Sequence, residues 1–275
     1  MRLMLNVDRL TLSFVLSILA GGLSYWRGSL TRSGWAGAVA VGTITAGFGG
    51  WEWGLLVIVF FVTSSGLSRL GRLRKATLAA DHWEKNDRRD WGQVLANGGL
   101  VAGLALLSWA RPSAESWAPA VGVLATVTGD TWATEIGVLS RATPWLITTA
   151  RRVPAGTSGG VTLLGSAASL AGAALIGCCA VLFGAWFGQG VALWILPAAI
   201  VGGIAGVAFD SLLGATVQAM RWCPRCQTET ERRRHGCGAA TTPLRGWSRL
   251  TNDVVNLLAS AAGGLVALAV QLTSR

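Results

Sequence analysis

Residues 126–140 read TVTGDTWATEIGVLS, and residues 151–165 read RRVPAGTSGGVTLLG. The first stretch places two acids, Asp130 and Glu135, inside otherwise apolar sequence. The second runs from a basic turn (Arg151, Arg152, Pro154) into a Gly/Ser/Thr loop, formed by Gly156, Thr157, Ser158, Gly159 and Gly160, that opens a long apolar segment. An acid in hydrocarbon costs about 2.5–3.5 kcal/mol on insertion scales, so one that is retained points to function. A Gly-rich loop at a helix start suits an anion, because backbone N–H groups and the helix dipole both face it. Acids for a metal ion followed by a loop for phosphate are two parts of a phosphoryl-transfer site.

The surroundings are those of a membrane protein. Of the 275 residues 52% are hydrophobic and only 13% are charged, whereas soluble domains run near 25% charged. The 37 glycines and 14 tryptophans agree, since Gly lets transmembrane helices approach closely and Trp favours the interface. Apolar windows predict eight spans, at about 10–26, 34–50, 52–68, 93–110, 118–139, 160–187, 191–219 and 252–272. A span needs about 20 residues, so the short second and third leave the count at seven or eight. The expected fold is all-α, a single polytopic domain over residues 1–275 without internal repeats. Asp8 and the lack of a small-residue cleavage site argue against a removable signal peptide.

Charge sets the expected topology. Loops 27–33, 69–92, 140–159 and 220–251 carry 19 of the 23 Lys/Arg. The positive-inside rule therefore predicts N-out and C-out, with these loops cytoplasmic. The net charge of +10 then reflects basic loops facing anionic lipid rather than nucleic acid.

On that topology the polar residues gather toward the cytoplasmic side. Gln93 and Asn97 start the fourth span, and Asp130 and Glu135 lie in the inner half of the fifth. Asp210, Ser211 and Gln218 lie in the inner half of the seventh, and Asn252, Asp253 and Asn256 open the eighth. Asp210, Gly214 and Gln218 follow at i, i+4, as do Asn252 and Asn256, so each set lines one helical stripe. Asp130, Glu135, Asp210 and Asp253 are candidate Mg²⁺ ligands, because Mg²⁺ takes oxygen ligands and keeps substrate phosphates. Plain structural roles stand beside each reading: a helix cap for Asp130 or Asn252, an arginine partner for Glu135, an interhelical hydrogen bond for Asp210, and a turn for the Gly loop. The loop has no following Lys, so it is not a Walker A motif. Residues 81–97 mix both charges before the fourth span, where a solvated loop is expected for most; Arg88, Arg89, Gln93 and Asn97 are candidate phosphate contacts there, beside Arg151, Arg152 and the Gly156 to Gly160 loop, which are expected to bind phosphate.

Five cysteines occur. Cys178 and Cys179 fall in an apolar segment and read as packing residues. Cys223, Cys226, His235 and Cys237 share one polar loop. A Cys₃His set suits structural Zn²⁺, although the tight His-x-Cys half is unusual.

The motifs GDTWATEIG, TTARRVPAGTSGGVTLLG, FDSLLGATVQ and RGWSRLTNDVVN together resemble the integral membrane family called domain of unknown function 92, which includes a plant phytyl-phosphate kinase. The resemblance runs from about Arg69 to the C-terminus. More distantly, the layout is similar to that of membrane-bound dolichol and phytol kinases and phosphatidate cytidylyltransferases, which use CTP on lipids. Asp130 matches their acid and Pro154 with residues 156–165 their loop, but the usual Lys-Thr reads Thr157-Ser158-Gly159-Gly160 here. The resemblance implies a kinase converting a prenyl monophosphate, of phytyl or geranylgeranyl type, to the diphosphate with a nucleoside triphosphate, CTP favoured, and Mg²⁺. A cytidylyltransferase making a CDP-activated lipid, a lipid-phosphate or anion transporter, and a non-catalytic scaffold are the alternatives.

Overall fold

The computed structural model describes residues 7–69, 88–113, 116–188 and 192–274. Among them eight helices follow in order: α1 (Val7–Trp26), α2 (Arg32–Ile44), α3 (Trp51–Leu67), α4 (Trp91–Ala110), α5 (Trp117–Gly137), α6 (Leu163–Trp186), α7 (Ile195–Thr216) and α8 (Asn252–Thr273). Each coincides with one expected apolar segment. Five of them, α1, α4, α6, α7 and α8, are long and apolar enough to cross a membrane. The helix starts agree with local chemistry. Thr31 caps α2 through Gly34 N, Thr162 caps α6 through Gly165 N, and Asp90 with Gln93 forms a capping box on α4.

The organising helix is α5. From Ala118 to Gly129 nearly every residue is buried, whichever way it points. It is sheathed by α6, α7 and α8, and the packing depends on small residues. The backbones of Gly129 and Gly172 meet between α5 and α6, where a Cβ on Gly172 would lie 3.3 Å from Gly129 Cα. A Cβ on Gly203 of α7 would lie 2.7 Å from Ala173 Cβ and 3.1 Å from Ala125 Cβ. Thr126 Oγ1 donates to Gly122 O at 2.9 Å and lies 3.4 Å from Gly202 O, so a polar atom is satisfied inside the bundle. In lipid the gain from such packing comes from van der Waals contact, because apolar burial alone brings no advantage over lipid tails.

Helices α1 to α3 flank this core. Trp35 lies over Gly21 and Gly22 of α1, and its Nε1 donates to Ile18 O at 3.2 Å. Large side chains of α1, among them Leu12, Phe14, Leu19 and Leu23, face outward, as a lipid-facing helix requires.

Among the described residues two loops depart from the helical pattern and form sheet. Residues 140–162 form a hairpin of β1 (Trp145–Leu146) and β2 (Gly160–Val161). Residues 220–245 form a three-stranded antiparallel sheet, order β4-β3-β5, from β3 (Met220–Cys223), β4 (Thr228–Thr230) and β5 (Thr242–Arg245). Their strands run from two to four residues, too short for a period-two pattern to stand out in sequence. The expected sixth span accordingly starts later, at Leu163, because Gly160 and Val161 pair as a strand.

Candidate functional site

At Asp130 the sheath around α5 opens. Residues Ala118 to Gly129 are almost wholly buried, whereas Asp130 to Gly137 are only partly so. The change marks a cavity of ≈ 750 Å³. It is lined by the ends of α4, α5, α7 and α8, the start of α6 and the β1–β2 hairpin. That volume lies within the range of about 300–1,000 Å³ found for small-molecule sites.

Gln93 and Asn97 reach the cavity from α4, and Asp130, Thr131, Thr134 and Glu135 from α5. Asp210 and Ser211 come from α7 with Gln218 just beyond it, and Asn252, Asp253 and Asn256 come from α8. Gly156, Thr157, Ser158, Gly159 and Gly160 line it from the hairpin loop. Asp130 and Glu135 lie on two neighbouring stripes of α5, and both line the cavity.

Several of these side chains are fixed by one another. With its amide oriented to suit both neighbours, Asn256 Nδ2 donates to Asp210 Oδ2 at 3.0 Å and to Asn252 O at 3.3 Å. Asp210 lies within electrostatic reach of Asp130 and of Glu231. Ser68 Oγ donates to Glu135 Oε1 at 2.6 Å. Ser158 Oγ donates to Gln218 Oε1 at 2.8 Å, and Gln218 Nε2 donates to Glu231 Oε1 at 2.8 Å. Gln218, buried at 2% exposure, thus ties the Gly loop to the sheet.

The charge balance is lopsided. Among the described residues the lining contains five carboxylates, Asp130, Glu135, Asp210, Glu231 and Asp253, and one guanidinium, Arg89. Burial pushes the Arg89 pKa down to about 10, so it stays cationic at neutral pH. The N-terminus of α6 adds partial positive charge, with Thr162, Gly165 and Ser166 in the wall. Carboxylate charge disfavours a bare phosphate here and favours one that arrives with cations. The donor set is carboxylate, amide and hydroxyl oxygen, which is the ligand chemistry of Mg²⁺. In donor chemistry the residues suit that ion, although among the described residues no three of these carboxylates gather as closely as Cys223, Cys226, His235 and Cys237 do.

Residues 15–264 match the family model described as integral membrane protein DUF92. The chain belongs to the DUF92 family of integral membrane proteins. It is 35% identical over 237 residues to Protein PGR of Arabidopsis thaliana, covering 78% of this chain and 81% of that protein. It is 30% identical over 247 residues to an uncharacterized membrane protein of Methanocaldococcus jannaschii, covering 89% and 87%. An uncharacterized membrane protein of Synechocystis sp. is 30% identical over 258 residues, covering 90% and 84%. No solved structure matches.

In this DUF92 chain three expected phosphate contacts, Arg151, Arg152 and Arg88, lie elsewhere. Arg151 and Arg152 do not line the cavity. Arg152 lies over the Trp145 ring, 4.1 Å from its centroid, and its guanidinium donates to Thr143 O. Arg151 contributes its carbonyl to Leu146 N at 2.8 Å. The Arg152 guanidinium is engaged in closing the hairpin, whereas Arg151 contributes only its backbone and its side chain is exposed; their sequence position before the loop does not reveal this. Gln93 has a double role, since its Oε1 also accepts from Asp90 N at 3.1 Å. Arg88, also named as a phosphate contact, sits over the Tyr25 ring, 5.5 Å from its centroid. Most of loop 69–92 lies outside the described residues.

Glu231, Ser68 and Ser169 line the DUF92 cavity without having signalled it in sequence. Glu231 sits in a run of polar and basic residues, where an acid is unremarkable. Only the fold of β3 and β4 brings it back over the membrane helices.

Proposed function

We propose that this DUF92 protein is a membrane-embedded kinase that phosphorylates a prenyl monophosphate, of phytyl or geranylgeranyl type, to the diphosphate. The observation that carries the proposal is the cavity: among its described lining residues, five carboxylates and one arginine, beside the start of α6 and a Gly-rich loop. Such a field suits a polyphosphate that enters with its metal. Asp130, Asp210 and Asp253, with Glu135 nearby, would hold Mg²⁺, which when bound neutralises phosphate charge and leaves the transferring phosphorus open to attack.

The chain's own residues supply position. Asn256 orients the Asp210 carboxylate, and Ser68 orients that of Glu135. Arg89 and the first turn of α6 offer positive charge to the phosphate oxygens. A prenyl phosphate is already ionised at neutral pH. Its oxygen attacks the γ-phosphorus, the bond to the β-phosphate oxygen breaks, and nucleoside diphosphate leaves without a proton having to be removed. Proximity and charge neutralisation then carry the rate.

A lipid substrate is favoured by one wall. Ile204, Val207 and Ala208 of α7 give the cavity an apolar wall, and Ile204 is 37% exposed. An isoprenoid tail would lie against this face, open to lipid. The Lys/Arg distribution supports N-out and C-out, with the cavity on the cytoplasmic side where nucleotides are.

The test is nucleotide consumption by the purified protein in nanodiscs with Mg²⁺ and phytyl or geranylgeranyl phosphate. CTP, ATP and GTP are supplied in turn, with Asp130→Asn as control. Prenyl diphosphate formed by the wild type alone supports the kinase. Pyrophosphate release with a CDP-lipid product assigns cytidylyl transfer instead. Well-folded protein that turns over no nucleotide rejects the proposal for these substrates.

A further inference from the structure

The segment between α7 and α8 has almost no apolar interior. Among residues 219–250 the buried ones are Met220, Cys223, Thr230, His235 and Thr241. Met220 is the lone large hydrocarbon side chain, and it lines the cavity rather than the sheet's own centre. Strands of four, three and four residues do not hold together on backbone bonds alone, and a segment of this size needs a staple.

The staple is present as a ligand set. One ligand atom from each of Cys223, Cys226, His235 and Cys237 lies within 4.8 Å of all the others. Cys223 Sγ and Cys237 Sγ are 3.7 Å apart, and His235 Nδ1 is 3.3 Å from Cys237 Sγ. Four ligands at Zn–S and Zn–N lengths of about 2.3 and 2.0 Å around a tetrahedral ion stand about 3.5–3.8 Å from one another. Cys223 and Cys226 leave β3 through a tight turn in which Cys226 N points at Cys223 Sγ at 3.4 Å and Gln227 N donates to Cys223 O at 2.9 Å. That turn presents both sulfurs to one side. His235 and Cys237 come from the opposite turn, closed by Gly238 N to His235 O at 2.8 Å. Two of the four ligand residues, Cys223 and His235, are themselves buried.

We propose that Cys223, Cys226, His235 and Cys237 bind one Zn²⁺ and that this ion fixes the sheet that sets Glu231 and Gln218 over the cavity. The connection is short. Glu231 follows β4 directly and accepts from Gln218 Nε2, which in turn holds Ser158 of the Gly loop. Arg245 of β5 anchors the sheet to the membrane helices through Gly214 O at 3.0 Å. The zinc centre is structural, with four protein ligands and no open position for a substrate. It does not depend on the chemistry of the cavity.

The full-length protein is purified on a tag that binds no metal, and its zinc is measured by plasma mass spectrometry. About one zinc per chain is expected, with Cys226→Ser and Cys237→Ser each losing most of it and Cys178→Ser retaining it. Because a ligand variant can fail to fold, the wild type is also grown with Co²⁺, whose visible spectrum reports tetrahedral thiolate coordination in the intact fold. Hydrogen exchange is then followed with and without a membrane-permeant chelator. Faster exchange on metal removal in residues 219–245 and in residues 156–160 supports the link to the cavity loop. Metal-free protein, no thiolate-to-cobalt band, and reaction of all three site thiols under native conditions would overturn the metal site. Exchange that rises in the sheet alone would overturn the link.

Discussion

Gly159→Ala tests whether the Gly loop is held in place by its contact with α7. Gly159 has φ +81, and a Cβ there would lie 2.5 Å from Ala215 Cβ and 2.6 Å from Ala215 N. The left-handed backbone costs an alanine about 1 kcal/mol. The overlap with backbone, which cannot rotate aside, adds about 1–3 kcal/mol. The total of about 2–4 kcal/mol corresponds to a fall of about 4–16 °C in the unfolding midpoint of a chain this long. Gly188→Ala is the matched control, because it has φ +78 with nothing within 4 Å. It carries the backbone term alone, and a fall of about 2–4 °C is expected. The loop can also escape by moving off α7, which would break the Ser158–Gln218 bond. On the proposed function, losing a bond of about 1 kcal/mol would weaken nucleotide binding about fivefold. Thermal unfolding in detergent and titration with a non-hydrolysable nucleotide read the two effects. If Gly159→Ala melts no earlier than Gly188→Ala and binds nucleotide as the wild type does, the loop is not set by α7 and the reasoning fails.

Four further outcomes follow from named contacts. Asp130→Asn keeps size and removes charge, so prenyl diphosphate formation should fall by at least about 10²-fold with the melting midpoint unchanged; unaltered turnover would remove Asp130 from the site. Asn256→Leu deprives Asp210 of its 3.0 Å donor, so the Mg²⁺ concentration for half-maximal turnover should rise, while an unchanged Mg²⁺ dependence would leave Asn256 a packing residue. Arg152→Ala should leave phosphate binding intact and cost about 0.5–1 kcal/mol of stability through the Trp145 contact, and loss of nucleotide affinity would return Arg152 to the phosphate. Gly203→Ala, with its Cβ 2.7 Å from Ala173 Cβ, should destabilise by about 1–3 kcal/mol, whereas Gly66→Ala, with nothing within 4 Å, should be neutral or gain up to about 1 kcal/mol.

The helices were legible because hydrocarbon imposes them. A run of about 20 apolar residues has few options in lipid other than a helix, so α1 to α8 appear where the apolar windows place them. The same rule made Asp130, Asp210 and Asn256 conspicuous, since a polar side chain on such a helix has few places to go. Depth along the helix axis is fixed by residue count at 1.5 Å per residue, and so polar groups on α4, α5, α7 and α8 could be brought to one level before any packing was known.

Residues outside the helices had no such ruler. Whether Arg152 reaches the cavity or turns back to Trp145 depends on the pairing of β1 with β2. Whether Glu231 faces water or the membrane site depends on how β3 and β4 pair and on the turn that gathers Cys223, Cys226, His235 and Cys237. The sequence by itself determined a helical membrane chain with acids at one depth, because the solvent around each helix decides what it can hold. Tertiary structure alone decided which loop residues close over those acids, because strand pairing and side-chain contacts between distant segments leave no periodic mark on the chain.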